Sequence, residues 1–186
     1  MKAVKKAIKS TVVSVCALVL AACGSNGGIL APKAPDLNKL FTFTANITEG
    51  EQSYAAELSR TDIGTWKITF SEPYQLQGVC FVYSGDKVSA SYDGLSADSL
   101  TDDFSASPVA VMVRALEAAV QNQSANVKYN ENGFTVQSGD CVLYFPQGES
   151  KPAKFEISSG KIFGEITEFK FNDELFKNGE DVVLIE

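Results

Sequence analysis

Apolar and polar residues alternate along most of the chain beyond residue 40. This period of two is typical of antiparallel strands that have one buried face and one solvated face. Four such runs come first, and their apolar members are Phe41, Phe43, Ala45 and Ile47, then Tyr54, Ala56 and Leu58, then Trp66, Ile68 and Phe70, then Val88, Ala90 and Tyr92. Turn sequences such as Glu49-Gly50 separate the runs, so we expect short hairpins that pair as a meander.

Strands are also predicted in the second half of the chain, at residues 127–129, 134–137, 141–145, 153–157 and 162–171. In the last of these, Ile162 and Ile166 share one parity, whereas Phe169 and Phe171 share the other. A bulge near Thr167 would bring all four side chains onto one face and bend the strand.

Residues 108–122 follow a helical rhythm instead. Ser107 and Pro108 are a suitable N-cap and first helical residue. The apolar positions of this run fall at helical spacing, and they are Val109, Met112, Val113, Leu116, Ala119 and Val120. The predicted fold is therefore mainly β with one principal helix (α+β), a curved antiparallel sheet that forms a half barrel closed by the helix.

The apolar faces of these strands are larger than one helix can cover. Roughly ten strands at about 4.8 Å spacing make a sheet nearly 50 Å wide, while a helix is about 10 Å across. We expect the sheet to curl and to enclose an apolar cleft. The predicted wall of this cleft is Phe43, Leu58, Ile68, Phe70, Val79, Phe81, Met112 and Leu116. The alternative is an interior filled by the protein's own aromatic side chains, among them twelve phenylalanines.

The N-terminus has the order of an export signal: four lysines, then a short apolar run, then small residues before a cysteine. Leu20-Ala21-Ala22-Cys23 resembles the lipobox of bacterial lipoprotein precursors, in which the cysteine is diacylated after cleavage. We expect residues 1–22 to be a signal peptide, Cys23 to be lipidated, and residues 23–35 to form a flexible tether. The alternative is an ordinary secretory signal with an incidental cysteine.

The expected location is therefore the extracytoplasmic face of the cell membrane, or the outer membrane if the cell is Gram-negative. This location follows from the anchor, because two acyl chains hold a protein stably on a bilayer.

Residues 36–186 are predicted to form a single domain.

Charge and composition exclude several functions. The full chain has a net charge of −7, and removal of residues 1–22 takes four lysines and leaves −11. A protein with this negative charge is not expected to bind nucleic acid, which is itself negatively charged. The chain contains no histidine, which removes the usual nucleophilic triads and imidazole metal sites. We expect no cofactor, no metal and no enzymatic activity.

Cys80 and Cys141 are the cysteines that remain in the predicted domain. Outside the cytoplasm they could form a disulfide. The alternative is two buried thiols that act as small apolar groups.

Several segments together resemble the LolA/LolB-like lipoprotein carriers and their LppX/LprG-like relatives. They are Phe41-x-Phe43-x-Ala45, Ala56-x-Leu58-x-Arg60, the run Trp66-Lys67-Ile68-Thr69-Phe70-Ser71-Glu72-Pro73, then Ser84-Gly85-Asp86, Tyr92 and Pro108. The resemblance implies a half barrel closed by helices, with acyl chains held in the concavity. It also implies that Arg60 lies at the mouth of the cleft, whereas the residues alone equally allow a surface arginine at a strand end.

Two functions follow as hypotheses. The first is a membrane-anchored protein that binds or transfers acyl chains, of a lipid or an acylated protein, in the apolar cleft. The second is an anchored interaction protein that binds or regulates a cell-envelope protein through its acidic surface and carries no lipid.

Overall fold

Eleven strands and one α-helix make up the part of the chain that the computed structural model describes, residues 35–85, 87–98, 104, 106–122 and 126–172. The strands are β1 (Phe41–Glu49), β2 (Gln52–Asp62), β3 (Thr65–Glu72), β4 (Cys80–Ser84), β5 (Lys87–Tyr92), β6 (Leu95–Ala97), β7 (Val127–Asn130), β8 (Gly133–Ser138), β9 (Cys141–Pro146), β10 (Lys154–Ile157) and β11 (Ile162–Phe171). The helix α1 is Pro108–Gln121, and a short 3-10 turn spans Tyr74–Leu76.

The chain divides into two units, Met1–Lys33 and Ala34–Glu186, and every described residue lies in the second. The predicted signal peptide, Cys23 and the tether as far as residue 34 lie outside the described residues.

All eleven strands belong to one antiparallel sheet, in the order β6-β5-β4-β3-β2-β1-β11-β10-β9-β8-β7. Two meanders, β1 to β6 and β7 to β11, are joined in the middle of the sheet by the pairing of β1 with β11. The sheet is open, because β6 and β7 are its two edges. The helix α1 lies between them in the chain, so the connection crosses from one edge to the other.

The predicted alternation is confirmed for the central strands. Phe41, Phe43, Ala45 and Ile47 of β1 are all buried, while their neighbours are half-buried or exposed. Tyr92, predicted to face inward, is 54% exposed, because it is the last residue of β5 and pairs with Leu95 of the exposed edge strand β6.

The predicted bulge in β11 is also confirmed. Thr44 pairs with Glu168 and Ala45 with Ile166, so Thr167 is the extra residue. Its hydroxyl donates a hydrogen bond to the Thr44 carbonyl at 3.2 Å.

The helix begins where the sequence predicts. Ser107 is the N-cap, and its hydroxyl accepts a hydrogen bond from the backbone N–H of Ala110 at 3.2 Å. Pro108 occupies the first turn, where a missing N–H costs nothing. At the other end the backbone N–H of Asn122 bonds to the Ala118 carbonyl.

The sheet curves around α1. Trp66 of β3 and Leu143 of β9 line the same small cavity as Leu116 of the helix. These strands are fourth and ninth in the sheet order, and in a flat sheet they would lie about 24 Å apart. Their meeting over one cavity shows that the apolar face is concave and that α1 packs within the concavity.

Candidate functional site

The interior of the concave face is closely packed. Six of the eight predicted cleft residues are buried there, namely Phe43, Leu58, Ile68, Phe70, Met112 and Leu116, and the other two, Val79 and Phe81, are half-buried. The voids among them are small: about 20 Å³ beside Phe70 and Met112, and about 10 Å³ beside Phe43 and Leu116. Each is about the size of one water site, so protein side chains fill the space beside these residues, and contact of the eight residues with a ligand stays a prediction.

Aromatic rings account for this filling. Phe169 stacks on Phe41 at 5.0 Å between ring centroids and on Phe43 at 6.2 Å. The indole of Trp66 meets both Phe41 and Phe43 edge to face. Offset and edge-to-face contacts of this kind stabilise a core beyond the area that they bury. The alternative of a self-filled interior therefore describes this part of the molecule.

A larger space lies to one side, between β3–β5 and α1. We call it the side pocket, and its volume is about 610 Å³. Its lining residues are Gly64, Trp66, Tyr83, Gly85, Val88, Ala110, Val113, Arg114, Glu117, Ala118 and Gln121. The volume is in the range of about 300–1,000 Å³ that small-molecule sites occupy. None of the eight predicted cleft residues lines it.

Sheet register explains the floor of the side pocket. Trp66 of β3 is the cross-strand neighbour of Tyr83 in β4, and Tyr83 is the neighbour of Val88 in β5. Because directly opposed residues point to the same face, the three side chains form one row across three strands. All three are at most 4% exposed.

Helix geometry explains the opposite wall. The lining residues of α1 fall three or four positions apart, from Ala110 through Val113, Arg114, Glu117 and Ala118 to Gln121, and so occupy one stripe of the helix. The β2–β3 and β4–β5 turns close one end of the side pocket, where the Gly85 N–H donates a hydrogen bond to the Gly64 carbonyl at 3.2 Å. The walls are thus mainly apolar, with polar groups on the helix side.

An ion pair between the buried Arg60 and the half-buried Glu117 ties this wall to the sheet. The Arg60 guanidinium binds the Glu117 carboxylate with two bonds of 2.8 Å, from Nε and from Nη2. Arg60 also donates to the Lys39 carbonyl and to Asn38 Oδ1. The same carboxylate accepts from the indole N–H of Trp66 at 2.8 Å and from the Gly64 N–H at 3.0 Å.

Arg60 is therefore not a surface side chain at a strand end, since it is fully buried. It lies under α1 behind the side pocket, and it is absent from the pocket's lining. A signal for this was present in the sequence: Arg60 continues the parity of Ala56 and Leu58, which places it on the apolar face.

Glu117 stays ionised in this setting. Burial alone would raise its pKa, but hydrogen bonds from Arg60, Trp66 and Gln121, together with the charge of Arg60, outweigh burial and lower the pKa to about 2. Because a bidentate arginine–carboxylate pair fixes both position and orientation, Glu117 sets where α1 lies against β2 and β3.

Tyr83 is the other unusual group of the side pocket. Its hydroxyl is buried and makes no hydrogen bond of ordinary geometry among the described residues, although the Ser107 side chain lies close enough to lower its pKa through hydrogen bonding. Burial raises the pKa of Tyr83, and the nearby Ser107 hydroxyl and Arg114 charge oppose that effect only in part. The hydroxyl therefore keeps its proton. Neither Glu117 nor Tyr83 was predicted from the sequence.

Of the two alternatives for Cys80 and Cys141, the disulfide is not formed, because both thiols are free. They belong to the third and ninth strands of the sheet order, which are not paired with each other. Cys141 is buried, and burial followed by the charge of Asp140 raises the pKa of its thiol to about 12. It acts as a small apolar group, as the alternative stated, whereas Cys80 is half-buried.

Within the described ranges, no group of three or more His, Cys, Asp or Glu side chains is suited to hold a metal ion. No helix in this part of the chain is both long enough and apolar enough to cross a membrane.

No protein-family model matches the chain, and no curated protein matches it. Several solved structures do match the chain. The chain is similar to an uncharacterised conserved protein of Thermus thermophilus (TM-score 0.41, 14% identity, 73% of this chain and 80% of that chain covered). It is also similar to a LolA superfamily protein of Nitrosomonas europaea (TM-score 0.36, 10% identity, 78% of this chain and 93% of that chain covered). A third match is a domain of Vibrio parahaemolyticus that is provisionally described as an outer membrane lipoprotein-sorting protein (TM-score 0.38, 10% identity, 77% of this chain and 88% of that chain covered).

The TM-scores and identities of these matches are low, so the function has to be argued from this chain's own side chains.

Replacement of Glu117 by Gln should destabilise the protein by about 3 kcal/mol, because it leaves the Arg60 charge buried without its counter-charge. Urea unfolding followed by fluorescence of Trp66 measures this. Glu165→Gln is the matched control, since it breaks the exposed Lys154–Glu165 pair at 3.3 Å and should cost less than about 1 kcal/mol. Equal effects of the two substitutions would contradict a structural role for the buried pair.

The same substitution should change how stability depends on pH. The pKa of Glu117 is about 2 in the folded protein against an ordinary value of 4.5. Its contribution is therefore present above about pH 4.5 and is lost as the pH falls toward about 2. The free energy of unfolding of the parent protein should approach that of Glu117→Gln over this range. A constant difference between the two proteins would refute the assignment.

Proposed function

We propose that the protein is an extracytoplasmic lipoprotein, anchored through Cys23, that binds an acyl chain of a lipid or of an acylated protein in the side pocket. The observation that carries this proposal is the 610 Å³ space between the Trp66–Tyr83–Val88 row and the stripe of α1. The core beside it is closely packed among the described residues, so the side pocket offers an acyl chain far more room than the small voids of the core do.

The shape and chemistry of the side pocket suit an acyl chain. One wall has the flat faces of Trp66 and Tyr83 and the branched side chain of Val88, and the other has Ala110 and Val113. Apolar surface of this kind binds methylene groups by removing them from water. The half barrel of the LolA/LolB-like carriers, to which the sequence is similar, agrees with this use of the space under the helix.

Binding fits the lining better than catalysis does. The Glu117 carboxylate accepts five hydrogen bonds from four residues, Arg60, Trp66, Gly64 and Gln121. Its low pKa makes it a poor general base. The chain has no histidine to act in its place. The arrangement holds the helix against the sheet and leaves the apolar walls for a ligand.

A second candidate function is an anchored interaction protein that binds an envelope protein and carries no lipid. The small interior voids favour it, as do large apolar side chains on the surface. Tyr74 is 86% exposed, Leu95 74% and Ile63 67%. In this case the side pocket would stay empty during function.

Anchoring is tested at Cys23. In a bacterial host that processes lipoproteins, the full chain should incorporate alkyne-labelled palmitate and sediment with membranes. Cys23→Ser should abolish both, because the acyl chains then have no thiol to join. Cys16→Ser is the matched control and should change neither. Label that persists in Cys23→Ser, or parent protein found free of membranes, would contradict an anchor at this residue.

Filling the side pocket should remove the ligand. Ala118 lines the pocket on α1, so Ala118→Trp should expel an acyl chain, whereas Ala97→Trp adds the same ring on exposed β6. Native mass spectrometry of full chains extracted in mild detergent should show a co-purifying lipid with the parent protein and Ala97→Trp, but not with Ala118→Trp.

Two other outcomes decide between the candidates. Lipid retained by Ala118→Trp would mean that it binds outside the side pocket. A parent protein that never carries lipid, but retains a stoichiometric envelope protein, would favour the second function.

A further inference from the structure

We infer that Val182-Val183-Leu184-Ile185 of this chain dock in the side pocket when no ligand is bound, and that an entering acyl chain displaces them. These residues belong to the segment 173–186, which lies outside the described residues and which we call the distal segment. The displacement rests on the proposed function, whereas the docking does not. The side pocket thus has two alternative occupants.

The distal segment starts from the same row of residues that forms the floor of the side pocket. Cross-strand pairing continues this row from β3 through β2 and β1 to β11, where its last member is Phe171. One residue later, the Asn172 N–H donates a hydrogen bond to the Leu40 carbonyl at 3.0 Å. The Asn172 side chain accepts another from the Thr42 hydroxyl at 3.2 Å. These bonds fix the point from which the distal segment leaves the sheet.

The distal segment is long enough to reach the side pocket from this point. The row crosses four strand spacings from Phe171 to Tyr83, which is about 19 Å at about 4.8 Å each. Residues 173–181 connect the described structure to residues 182–185, and an extended chain of this length spans about 30 Å. The connecting residues therefore cover the distance with length to spare.

Exposed apolar side chains lie on the rim of the sheet between the exit point and the side pocket. Leu40, just before β1, is 41% exposed, and Ile63, in the β2–β3 turn, is 67% exposed. The distal segment has apolar residues at the matching distance, because Leu175 and Phe176 follow Asn172 closely. Contact of these residues with the rim removes apolar surface from water and directs the chain toward the β2–β3 turn, which borders the side pocket.

The composition of the distal segment matches the chemistry of the pocket walls. Residues 182–185 are consecutive apolar residues, whereas residues 177–181 are polar or charged apart from one glycine. In a ligand-free molecule, the apolar walls beside Trp66 and Val113 would otherwise face water, and docking of residues 182–185 removes both apolar surfaces from it.

Attachment to the same chain makes this contact effective. A segment joined by a short flexible linker has an effective concentration of about a millimolar, so a weak apolar contact is enough to fill the pocket. An acyl chain that binds more tightly displaces residues 182–185. Its apparent affinity is then reduced in proportion to the fraction of molecules in which the pocket is free.

Photo-crosslinking tests the docking. The full chain, with Leu184 replaced by benzoylphenylalanine, is delipidated and held in amphipol, so that no lipid competes. Irradiation should crosslink position 184 to peptides of α1 and β3–β5, as mapped by mass spectrometry. Ala118→Trp, which fills the side pocket, should remove these crosslinks, whereas Ala97→Trp on exposed β6 should keep them. Excess palmitate should lower their yield about tenfold.

Labelling by photoactivatable palmitate, at a limiting concentration, tests the displacement. Leu184→Asp should raise the labelling of α1 and β3–β5, because a charge in apolar surroundings weakens docking. The increase should be about tenfold if residues 182–185 are docked in about nine of ten ligand-free molecules. Deletion of residues 182–186 should have the same effect. Asn178→Asp is the matched control, since it adds the same charge among the polar residues of the distal segment, and it should behave like the parent.

The outcomes separate the docking from the proposed function. Crosslinks from position 184 that miss the side pocket, or that survive Ala118→Trp, would overturn the docking even if palmitate labels the pocket. Equal palmitate labelling of the parent, Leu184→Asp and the deletion variant would overturn the displacement. Crosslinks to the side pocket without palmitate labelling of any chain would overturn the proposed function and leave the docking in place.

Discussion

An apolar sheet face that is wider than one helix cannot be covered by that helix alone. The curvature of the sheet and the aromatic side chains of its centre follow from this constraint. The nine strands between the edges β6 and β7 all have buried residues, yet a single helix crosses from edge strand to edge strand in the described structure. Curling brings β3 and β9 over the same helix and lets the rings of Phe41, Phe43 and Phe169 fill the centre. Among the described residues, this filling leaves the side pocket open on the side of β3–β5.

The buried Arg60–Glu117 pair determines where that uncovered part lies. Two charges out of water are expensive unless they are paired and fully hydrogen-bonded, and here the carboxylate has donors from β2, β3, the β2–β3 turn and α1 itself. The helix is therefore held in one position against the sheet. Its stripe from Ala110 to Gln121 faces the Trp66–Tyr83–Val88 row across the pocket, so the stability of the fold and the shape of the site depend on the same contact.

Local sequence patterns predicted most of the fold. The alternation of apolar and polar residues predicted the strands, and the Ser107-Pro108 pair predicted the start of α1. The parity change in the last strand predicted the bulge at Thr167. The candidate site was less accessible, because Arg60 and Glu117 lie 57 positions apart in the sequence, and no local pattern pairs them. Tyr83 falls in a short continuous apolar run, in which nothing distinguishes a packed side chain from one that borders a pocket.

The most direct test of this account is a crystal structure of the full chain purified from membranes without delipidation. The account predicts continuous, elongated density in the side pocket, between the Trp66–Tyr83–Val88 row and α1, with the core around Phe43 and Leu116 closely packed. A side pocket that is empty, or closed by side chains of the protein itself, would contradict it and leave an anchored β scaffold without a cargo site.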